Sequence, residues 1–198
     1  MTTPAMSLLP RMRCWFATQE IMRLAALVGI AAFLADWASK SWAVATLTNA
    51  TATLGSLLLA PAHNDAFAFS AGADRVASGF VMGARLFALC AVAVFFGRVV
   101  VRDRRSAAGF GLILGGGFGN TVDLAFRGAV VDFINVGPFT LDLAGEVMNI
   151  HFVFNAADLA ILVGIALLAP RIRTCALDVQ RRIGEWEARL TRDYRRFP

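Results

Sequence analysis

Four long apolar stretches constrain this chain more than any other feature of its sequence. They cover residues 21–47, 80–101, 107–126 and 152–169. Each is close to the roughly 20 residues that an α-helix needs to cross the hydrocarbon core of a bilayer. The mean hydropathy of +0.62 and the charged fraction of only 17% are also far from those of an average soluble domain. The sequence therefore predicts an integral membrane protein with four transmembrane helices.

The arginines predict how these helices are oriented. The net charge is +5, but the arginines crowd beside the apolar stretches, which indicates membrane topology rather than a nucleic-acid surface. They lie before or at the start of the first stretch, from the end of the second to the start of the third, and after the fourth: Arg11, Arg13, Arg23, Arg98, Arg102, Arg104, Arg105, Arg171 and Arg173. Both termini are then cytoplasmic, and residues 48–79 and 127–151 lie on the outer face. A cleaved signal peptide is the alternative for the first stretch, but that stretch is long and precedes no clear cleavage pattern.

One membrane domain accounts for residues 1–170, and a basic tail follows over residues 171–198. Within the domain, residues 48–70 show partial alternation, which predicts a small strand-rich element on the outer face over about residues 48–78. In the tail, Val179, Ile183, Trp186 and Leu190 recur at spacings of four, three and four among arginines. This pattern predicts an amphipathic helix on the anionic cytoplasmic leaflet, with membrane lipids as its partner. The expected fold class is an all-α membrane protein with these two additions.

Polar residues inside or at the edge of the apolar stretches form three pairs. The pairs are Asp36 with Lys40, Asn120 with Asp123, and Asn155 with Asp158. The first pair has a spacing of four, which predicts a structural ion pair on one helix face. The other two have a spacing of three, so each Asn shares a helix face with its Asp. Because the third helix runs outward and the fourth inward, both pairs are expected at the same depth near the outer surface, with Asp132 just beyond them.

The three carboxylates near the outer surface, Asp123, Asp132 and Asp158, admit more than one function. Two carboxyl groups that share one proton can act as base and acid in an aspartyl protease mechanism. The same residues could instead form a hydrogen-bonded cluster that holds helices together, or an ion or proton relay. Three scattered cysteines and two histidines offer no metal site, so no metal or organic cofactor is expected. The glycines of "GGGFGN", residues 115–120, are expected to allow close helix packing.

Four short segments carry a family resemblance. They are "DWASK" (36–40), "HNDAFAFS" (63–70), "GNTVDLAFRGAVVDFI" (119–134) and "FNAADLAI" (154–161). In this order they resemble the successive motifs of the prolipoprotein signal peptidases, signal peptidase II, over residues 34–168. The resemblance implies that Asp132 and Asp158 are the catalytic pair. It also implies a substrate-binding set in which two asparagines hold the substrate backbone while an Asn–Asp pair supports the site: Asn64 and Asn155, with Asn120 and Asp123.

The function implied by this resemblance is specific. Such an enzyme removes the signal peptide of a bacterial prolipoprotein before a diacylglyceryl-modified cysteine, using neither metal nor organic cofactor. It would lie in the bacterial inner membrane as a monomer, with its active site on the periplasmic side and no nucleic-acid partner. The alternatives are a noncatalytic lipopeptide-binding membrane protein of the same fold, and a small transporter or proton-relay protein. The last is disfavoured because the acids gather on one side of the membrane.

Several departures from the family pattern indicate a divergent member. Ala66 stands where the family has glycine, and Leu124 stands where it has an arginine of the substrate-contacting surface. Leucine cannot replace the hydrogen-bond donors of arginine. Arg85 and Arg127 are the candidates to compensate for that loss. The connection over residues 134–153 is also longer than is usual in the family.

Overall fold

Helices α1 to α4 and strands β1 to β4 make up the part of the chain that the structure, a computed structural model, describes. This part comprises residues 5–47, 52–54, 57–64, 75–99, 101–143 and 146–194. The elements in chain order are α1 (Ala5–Leu47), β1 (Ala52–Leu54), β2 (Leu57–Asn64), α2 (Arg75–Val99), α3 (Arg104–Arg127), β3 (Val130–Leu143), β4 (Glu146–Phe154) and α4 (Ala156–Tyr194). The fold is therefore mostly helical with one small sheet.

The sheet is larger than the sequence predicted, so the fold is not all-α. Its order is β1-β2-β3-β4, and each neighbouring pair is antiparallel. The strand-rich element predicted at residues 48–78 is present as β1 and β2, although residues 75–78 belong to α2. Strands β3 and β4 lie where the sequence predicts a connection and the start of the fourth apolar stretch. Phe152 and Phe154 lie opposite Val136 and Ile134. Because their backbone groups belong to this strand ladder, the last helix begins only at Ala156.

Two helices are long and apolar enough to cross a membrane, within the residues whose side chains are described. They are the segments Gln19–Leu47 of α1 and Ala156–Thr191 of α4, each of which contains an 18-residue stretch with a mean hydropathy of 1.7. Helix α2 contributes a shorter apolar segment, Met82–Gly97. Helix α3 is continuous, but glycines and polar residues interrupt its apolar sequence. The four membrane crossings predicted from the sequence thus stay a prediction.

Helix α3 lies against α1 on one side and α4 on the other, and glycines set these distances. A Cβ atom on Gly115 would collide with the backbone oxygen of Gly29 in α1. A Cβ atom on Gly116 would collide with the backbone oxygen of Ala157 in α4. The close helix packing predicted for this glycine-rich stretch is therefore confirmed. The core between these helices is completed by buried apolar side chains: Ala25, Val101, Ala107, Phe110 and Leu168.

Both ends of α3 are fixed by local hydrogen bonds. At the start, Asp103 accepts a 2.8 Å hydrogen bond from the backbone N–H of Ser106, and this bond holds the pKa of the Asp103 carboxyl below its usual value. At the end, Gly128 has φ of 77°, and its N–H donates to the Leu124 carbonyl oxygen at 3.2 Å. Glycine adopts this left-handed conformation without steric cost. The chain therefore turns directly into β3, which carries Asp132.

Helix α4 continues without a break through Pro170 to Tyr194. The basic tail predicted from residue 171 is thus the C-terminal part of one long helix rather than a separate one. Its 39 residues span roughly 58 Å at 1.5 Å per residue. Since the hydrocarbon core of a bilayer is only about 30 Å thick, this part of α4 extends well beyond it.

Candidate active site

Polar side chains from four elements meet at the end of the helices next to the sheet. Helix α1 supplies Asp36 and Lys40, α3 supplies Asn120 and Asp123, β3 supplies Asp132, and α4 is preceded by Asn155 and carries Asp158 in its first turn. The sequence predicted that the acids and amides of α3 and α4 would meet at one depth. The hydrogen bonds described below join these residues into one network.

A fully buried lysine lies within this network. The Nζ atom of Lys40 is 2.7 Å from Asp36 Oδ2 and 3.1 Å from Asp123 Oδ2. It also donates a 2.7 Å hydrogen bond to Asn120 Oδ1. A buried ammonium group is tolerated when it is paired and hydrogen-bonded in this way. The ion pair predicted between Asp36 and Lys40 is present, and the same ammonium group also joins α1 to α3.

Arg127 adds a second positive charge beside Lys40. Its guanidinium donates to Asp123 Oδ1 at 2.8 Å and to Ser41 Oγ at 3.1 Å. It also lies 4.8 Å from the ring centroid of Trp37, close enough for a cation–π contact. Arg127 is therefore turned toward Asp123, while Leu124 occupies the position where the resemblance predicts an arginine. The charge cluster formed in this way contains two acids and two bases, whose formal charges cancel: Asp36, Lys40, Asp123 and Arg127.

Asp123 connects this charge cluster to the sheet. Its Oδ2 atom accepts a 3.1 Å hydrogen bond from the backbone N–H of Val131, at the start of β3. Its side chain is 0% exposed. Because one carboxyl group binds α1, the end of α3 and the start of β3 together, it fixes the strand that carries Asp132. This geometry places Asp123 in an organising position.

The N-terminus of α4 is capped by three side chains. Asn155 Oδ1 accepts from the N–H of Asp158 at 3.0 Å, and Asp158 Oδ2 accepts from the N–H of Asn155 at 3.1 Å. Asp36 Oδ1 accepts from the N–H of Ala157 at 2.9 Å. The first pair is a reciprocal capping arrangement, and negative charge at a helix N-terminus is favourable. These bonds fix the direction of the Asp158 side chain relative to α1.

Two asparagine amides join Asp132 to Asp158. The Nδ2 atom of Asn155 donates to Asp132 Oδ1 at 2.6 Å and to Asn120 Oδ1 at 3.1 Å. The Nδ2 atom of Asn120 donates to Asp158 Oδ1 at 3.0 Å. Asp132 is only 3% exposed, whereas Asp158 is half-buried. Two carboxyl groups that lie 26 residues apart in the chain are thus tied to the same pair of amides, at a site that is partly open.

The sheet places the backbone of β2 beside Asp132. Ala62 lies opposite Asp132, and Asn64 lies opposite Val130. The side chain of Asn64, a predicted substrate contact, lies outside the described residues, as does Ala66 with the rest of residues 65–74. The predicted roles of these two residues stay predictions.

Sequence reasoning missed the contacts of Arg127, Ser41 and Trp37, and the capping of α4 by Asp36. Arg127 follows Asp123 by four residues, which is the usual spacing of an ion pair on a helix. That signal was available in the sequence. The contact between Asp36 and α4 joins residues 121 positions apart, and no local pattern predicts it. Among the side chains described, no group of three or more His, Cys, Asp or Glu residues could hold a metal ion.

Comparison with protein families gives one match that covers most of the chain. The model of the family described as "Signal peptidase (SPase) II" matches residues 28–173. Curated relatives named lipoprotein signal peptidase agree with this match. One from Rhodopseudomonas palustris (strain TIE-1) is 31% identical over 153 residues, which is 74% of this chain and 90% of the relative. One from Nitrobacter hamburgensis is 30% identical over 155 residues, with the same shares of both chains.

Solved structures show the same fold. A bacterial membrane enzyme determined by the in meso method has a TM-score of 0.61 to this chain at 20% identity, covering 75% of this chain and 91% of its own. A second such structure has a TM-score of 0.58 and covers 76% and 87%. At these identities the likeness concerns the fold alone.

Proposed function

The chain belongs to the signal peptidase II family, and from that premise we propose that it is an aspartic endopeptidase of the bacterial inner membrane. Membership makes it a membrane-bound protease of lipoprotein processing. The proposed substrate is a prolipoprotein, cut before its diacylglyceryl-modified cysteine. The proposed catalytic groups are the carboxyl groups of Asp132 and Asp158, which activate a water molecule.

One observation carries the assignment of this pair. The side-chain amide of Asn155 donates to Asp132 at 2.6 Å. Asn155 and Asp158 also exchange two hydrogen bonds, each from the backbone N–H of one residue to the side-chain oxygen of the other. A single residue at the start of α4 therefore orients both carboxyl groups. In the proposed mechanism one of these carboxyl groups is ionised and the other is protonated, as an aspartic peptidase requires.

The proposed reaction uses one ionised and one protonated carboxyl group. The ionised group takes a proton from water as the water oxygen attacks the scissile carbonyl carbon, and the protonated group gives its proton to the carbonyl oxygen. A gem-diol intermediate results. The first group then donates its new proton to the leaving nitrogen, while the second takes back a proton from a gem-diol hydroxyl and the C–N bond breaks. The products are the signal peptide acid and the amine of the cysteine, and the shared proton is restored.

Lys40 and Asn120 hold Asp158 of the proposed catalytic pair in position through a chain of hydrogen bonds. Lys40 only donates hydrogen bonds, so its contact with Asn120 fixes the Oδ1 end of that amide. The Nδ2 end of Asn120 must then face Asp158, to which it donates at 3.0 Å. The charge cluster thereby holds Asp158 in place without contributing a net formal charge. In this proposal Lys40 and Asn120 are positioning residues.

An apolar groove beside the site suits the signal peptide. Its volume is about 600 Å³, and it lies between α1, α2 and α3. Phe33 and Phe118 line it, and these residues lie within one helical turn of Asp36 and Asn120, respectively. An apolar signal-peptide segment that entered this groove would reach the polar site at one end. The apolar lining of the groove thus favours an apolar peptide substrate over a polar one.

Lipidation of the substrate is the sharpest test of this proposed specificity. We expect the purified protein in lipid bilayers to cleave a diacylglyceryl-modified precursor far faster than the same precursor without the lipid. Mass spectrometry of the products identifies the cut bond, which should immediately precede the cysteine. Equal cleavage of both precursors, or a cut elsewhere, would contradict the substrate assignment.

We propose four membrane crossings with both termini in the cytoplasm, which puts the site on the periplasmic side. The arginines at residues 102, 104 and 105 between α2 and α3 support this orientation. In a variant without other cysteines, a membrane-impermeant thiol reagent applied to intact cells should label Asp65→Cys. It should label Arg104→Cys and native Cys175 only after the cells are opened. External labelling of Cys175 would overturn the topology.

Asp123→Asn is expected to reduce cleavage but leave it measurable. The contacts described for Asp123 are with Lys40, Arg127 and the β3 backbone, rather than with the proposed catalytic pair. Asparagine keeps the shape and one acceptor oxygen, so stability should fall by about 1–3 kcal/mol. The comparison is made by cleavage rate per folded molecule. A well-folded Asp123→Asn protein with no activity would move Asp123 into the catalytic set.

A further inference from the structure

The C-terminal part of α4 carries a continuous apolar seam. Its members alternate at spacings of four and three residues: Ile172, Ala176, Val179, Ile183, Trp186 and Leu190. They are exposed, with Ile183 at 51%, Trp186 at 62% and Leu190 at 49%. This part of α4 extends beyond the hydrocarbon core, so these side chains are not covered by lipid tails along the helix axis. Their exposure to water is unfavourable unless another surface covers them.

The shape of the seam favours a helical partner over a lipid surface. Positions that repeat every 3.5 residues form the narrow stripe of a coiled coil, whereas an interfacial helix presents a wider apolar face. Apart from Leu177, which is 55% exposed beside the seam, the remaining surface mixes acidic residues with the arginines: Asp178, Glu185, Glu187 and Asp193. On the side away from the seam, Arg181 lies 3.8 Å from Asp178 and 4.0 Å from Glu185. These intrahelical pairs leave a mixed surface rather than a purely basic one.

We propose that this seam binds a second copy of the chain in a parallel two-stranded coiled coil. In heptad terms, Ala176, Ile183 and Leu190 occupy a positions, while Val179 and Trp186 occupy d positions. Two copies in one membrane share the same topology, so their α4 helices leave the bilayer on the same side and run in the same direction. The membrane itself therefore sets the parallel orientation.

The charges beside the seam match this parallel register. Arg182 directly precedes Ile183 and occupies a g position, and Glu187 directly follows Trp186 and occupies the next e position. In a parallel coiled coil, a g residue faces the e residue five positions later on the other helix. Arg182 of each copy would thus face Glu187 of the other. Two opposite-charge contacts related by the two-fold axis complete the interface.

The membrane-embedded part of α4 does not obstruct such a dimer. The seam continues upstream at the same spacings to Leu162 and Ile165, which are 64% and 50% exposed. These two side chains are not among the α4 residues that pack against α3, such as Ala157 and Gly164, so a second helix could lie along this face. The seam outside the membrane is short, but confinement of both copies to one bilayer raises their effective concentration. The resulting dimer differs from the monomer expected from the sequence.

Disulfide cross-linking of the full chain in phosphatidylcholine vesicles tests this inference. With Cys14, Cys90 and Cys175 replaced by serine, Ile183→Cys should form a covalent dimer under mild oxidation. The matched control Arg181→Cys, two residues away on the outer side of the helix, should not. Equal cross-linking of both variants would overturn the proposal. So would an Ile183→Cys protein that stays monomeric and becomes shielded only when phosphatidylglycerol is added, because the seam would then be a lipid-binding face.

A charge exchange tests the register in the same Ile183→Cys background. Arg182→Glu alone, or Glu187→Arg alone, places like charges opposite each other and should slow cross-linking by about fivefold. The double exchange should restore the original rate, because the opposite-charge contacts re-form with their signs reversed. A double variant that is as slow as the single variants would overturn the parallel register. Cleavage activity provides the check of folding, since none of these residues lies near the active site.

Discussion

Asp132→Asn and Asp158→Asn are each expected to abolish cleavage while leaving a folded membrane protein. Asparagine cannot accept a proton from water or donate one to the carbonyl oxygen in the proposed reaction, so the rate should fall by at least about a thousandfold. Asp132→Asn should leave the fold intact, because asparagine keeps an oxygen that can accept the hydrogen bond from Asn155 Nδ2, which is 2.6 Å long in the wild-type protein. The measurement is the cleavage rate on a lipidated precursor at equal folded amounts.

The two variants differ in their expected effect on stability. Asp158 accepts from the backbone N–H of Asn155 and from the Asn120 amide, and Asn can keep only one of these contacts. Asp158→Asn should therefore lose about 1 kcal/mol of stability through the helix cap. Asp178→Asn, on the exposed part of α4, is the matched control and should retain full activity. Substantial turnover by a well-folded Asp132→Asn or Asp158→Asn protein would refute the catalytic pair.

Lys40→Met is expected to destabilise the fold more than any other single change in the site. It removes the ammonium group that lies 2.7 Å from Asp36 and 3.1 Å from Asp123, leaving two buried acids with one partly exposed arginine. An uncompensated buried charge costs about 3–5 kcal/mol. Cleavage should also fall, because Asn120 loses the donor that fixes its amide. Thermal unfolding in detergent and the cleavage rate measure the two effects separately.

A double variant separates the charge balance between Lys40 and Asp36 from the other contacts of Lys40. Asp36→Asn combined with Lys40→Met removes one negative and one positive charge, and the amide oxygen introduced by Asp36→Asn can still accept from the N–H of Ala157. We therefore expect the double variant to be more stable than Lys40→Met alone, which is a non-additive result. Additive or greater destabilisation would show that the contacts of Lys40 with Asn120 and Asp123, rather than its charge balance with Asp36, dominate its contribution.

The parts of the site that lie on single helices could be predicted from the sequence. The spacing of Asp36 and Lys40 predicted their ion pair, which is present at 2.7 Å. The positions of Asn120 near the end of one helix and Asp158 near the start of another predicted that they would meet, and they are hydrogen-bonded at 3.0 Å. Local periodicity suffices in these cases because a helix fixes which residues share a face.

The contacts between elements could not be predicted in the same way. Lys40 reaches Asn120, 80 residues later, because glycines let α1 and α3 approach closely, and only the packed helices reveal that distance. Strand β4 was missed because its apolar residues Phe152 and Phe154 are separated from the apolar start of α4 by Asn155 alone. Short apolar runs do not distinguish a strand from a buried helix. Asn155, which lies between β4 and α4 and caps the helix, was the available signal for this boundary.

The continuity of α4 was missed for a different reason. Pro170 and the change from apolar to basic residues suggested a boundary, yet the helix runs through both. Proline removes one backbone N–H and crowds the preceding turn, which often ends or bends a helix but does not always do so. The apolar positions on either side of Pro170 keep the same alternation of three and four. That unbroken periodicity is the physical signal of one helix.

The central claim is that this protein cleaves lipidated precursors and does not only bind them. Single-turnover cleavage by the wild-type protein in lipid bilayers tests it most directly, with protein in excess so that essentially all of the precursor is bound. Our account predicts that the bound precursor is converted to signal peptide and lipoprotein within a single turnover. A precursor that binds saturably and stays intact at every pH would contradict it, because that is the behaviour of a noncatalytic lipopeptide-binding protein of the same fold.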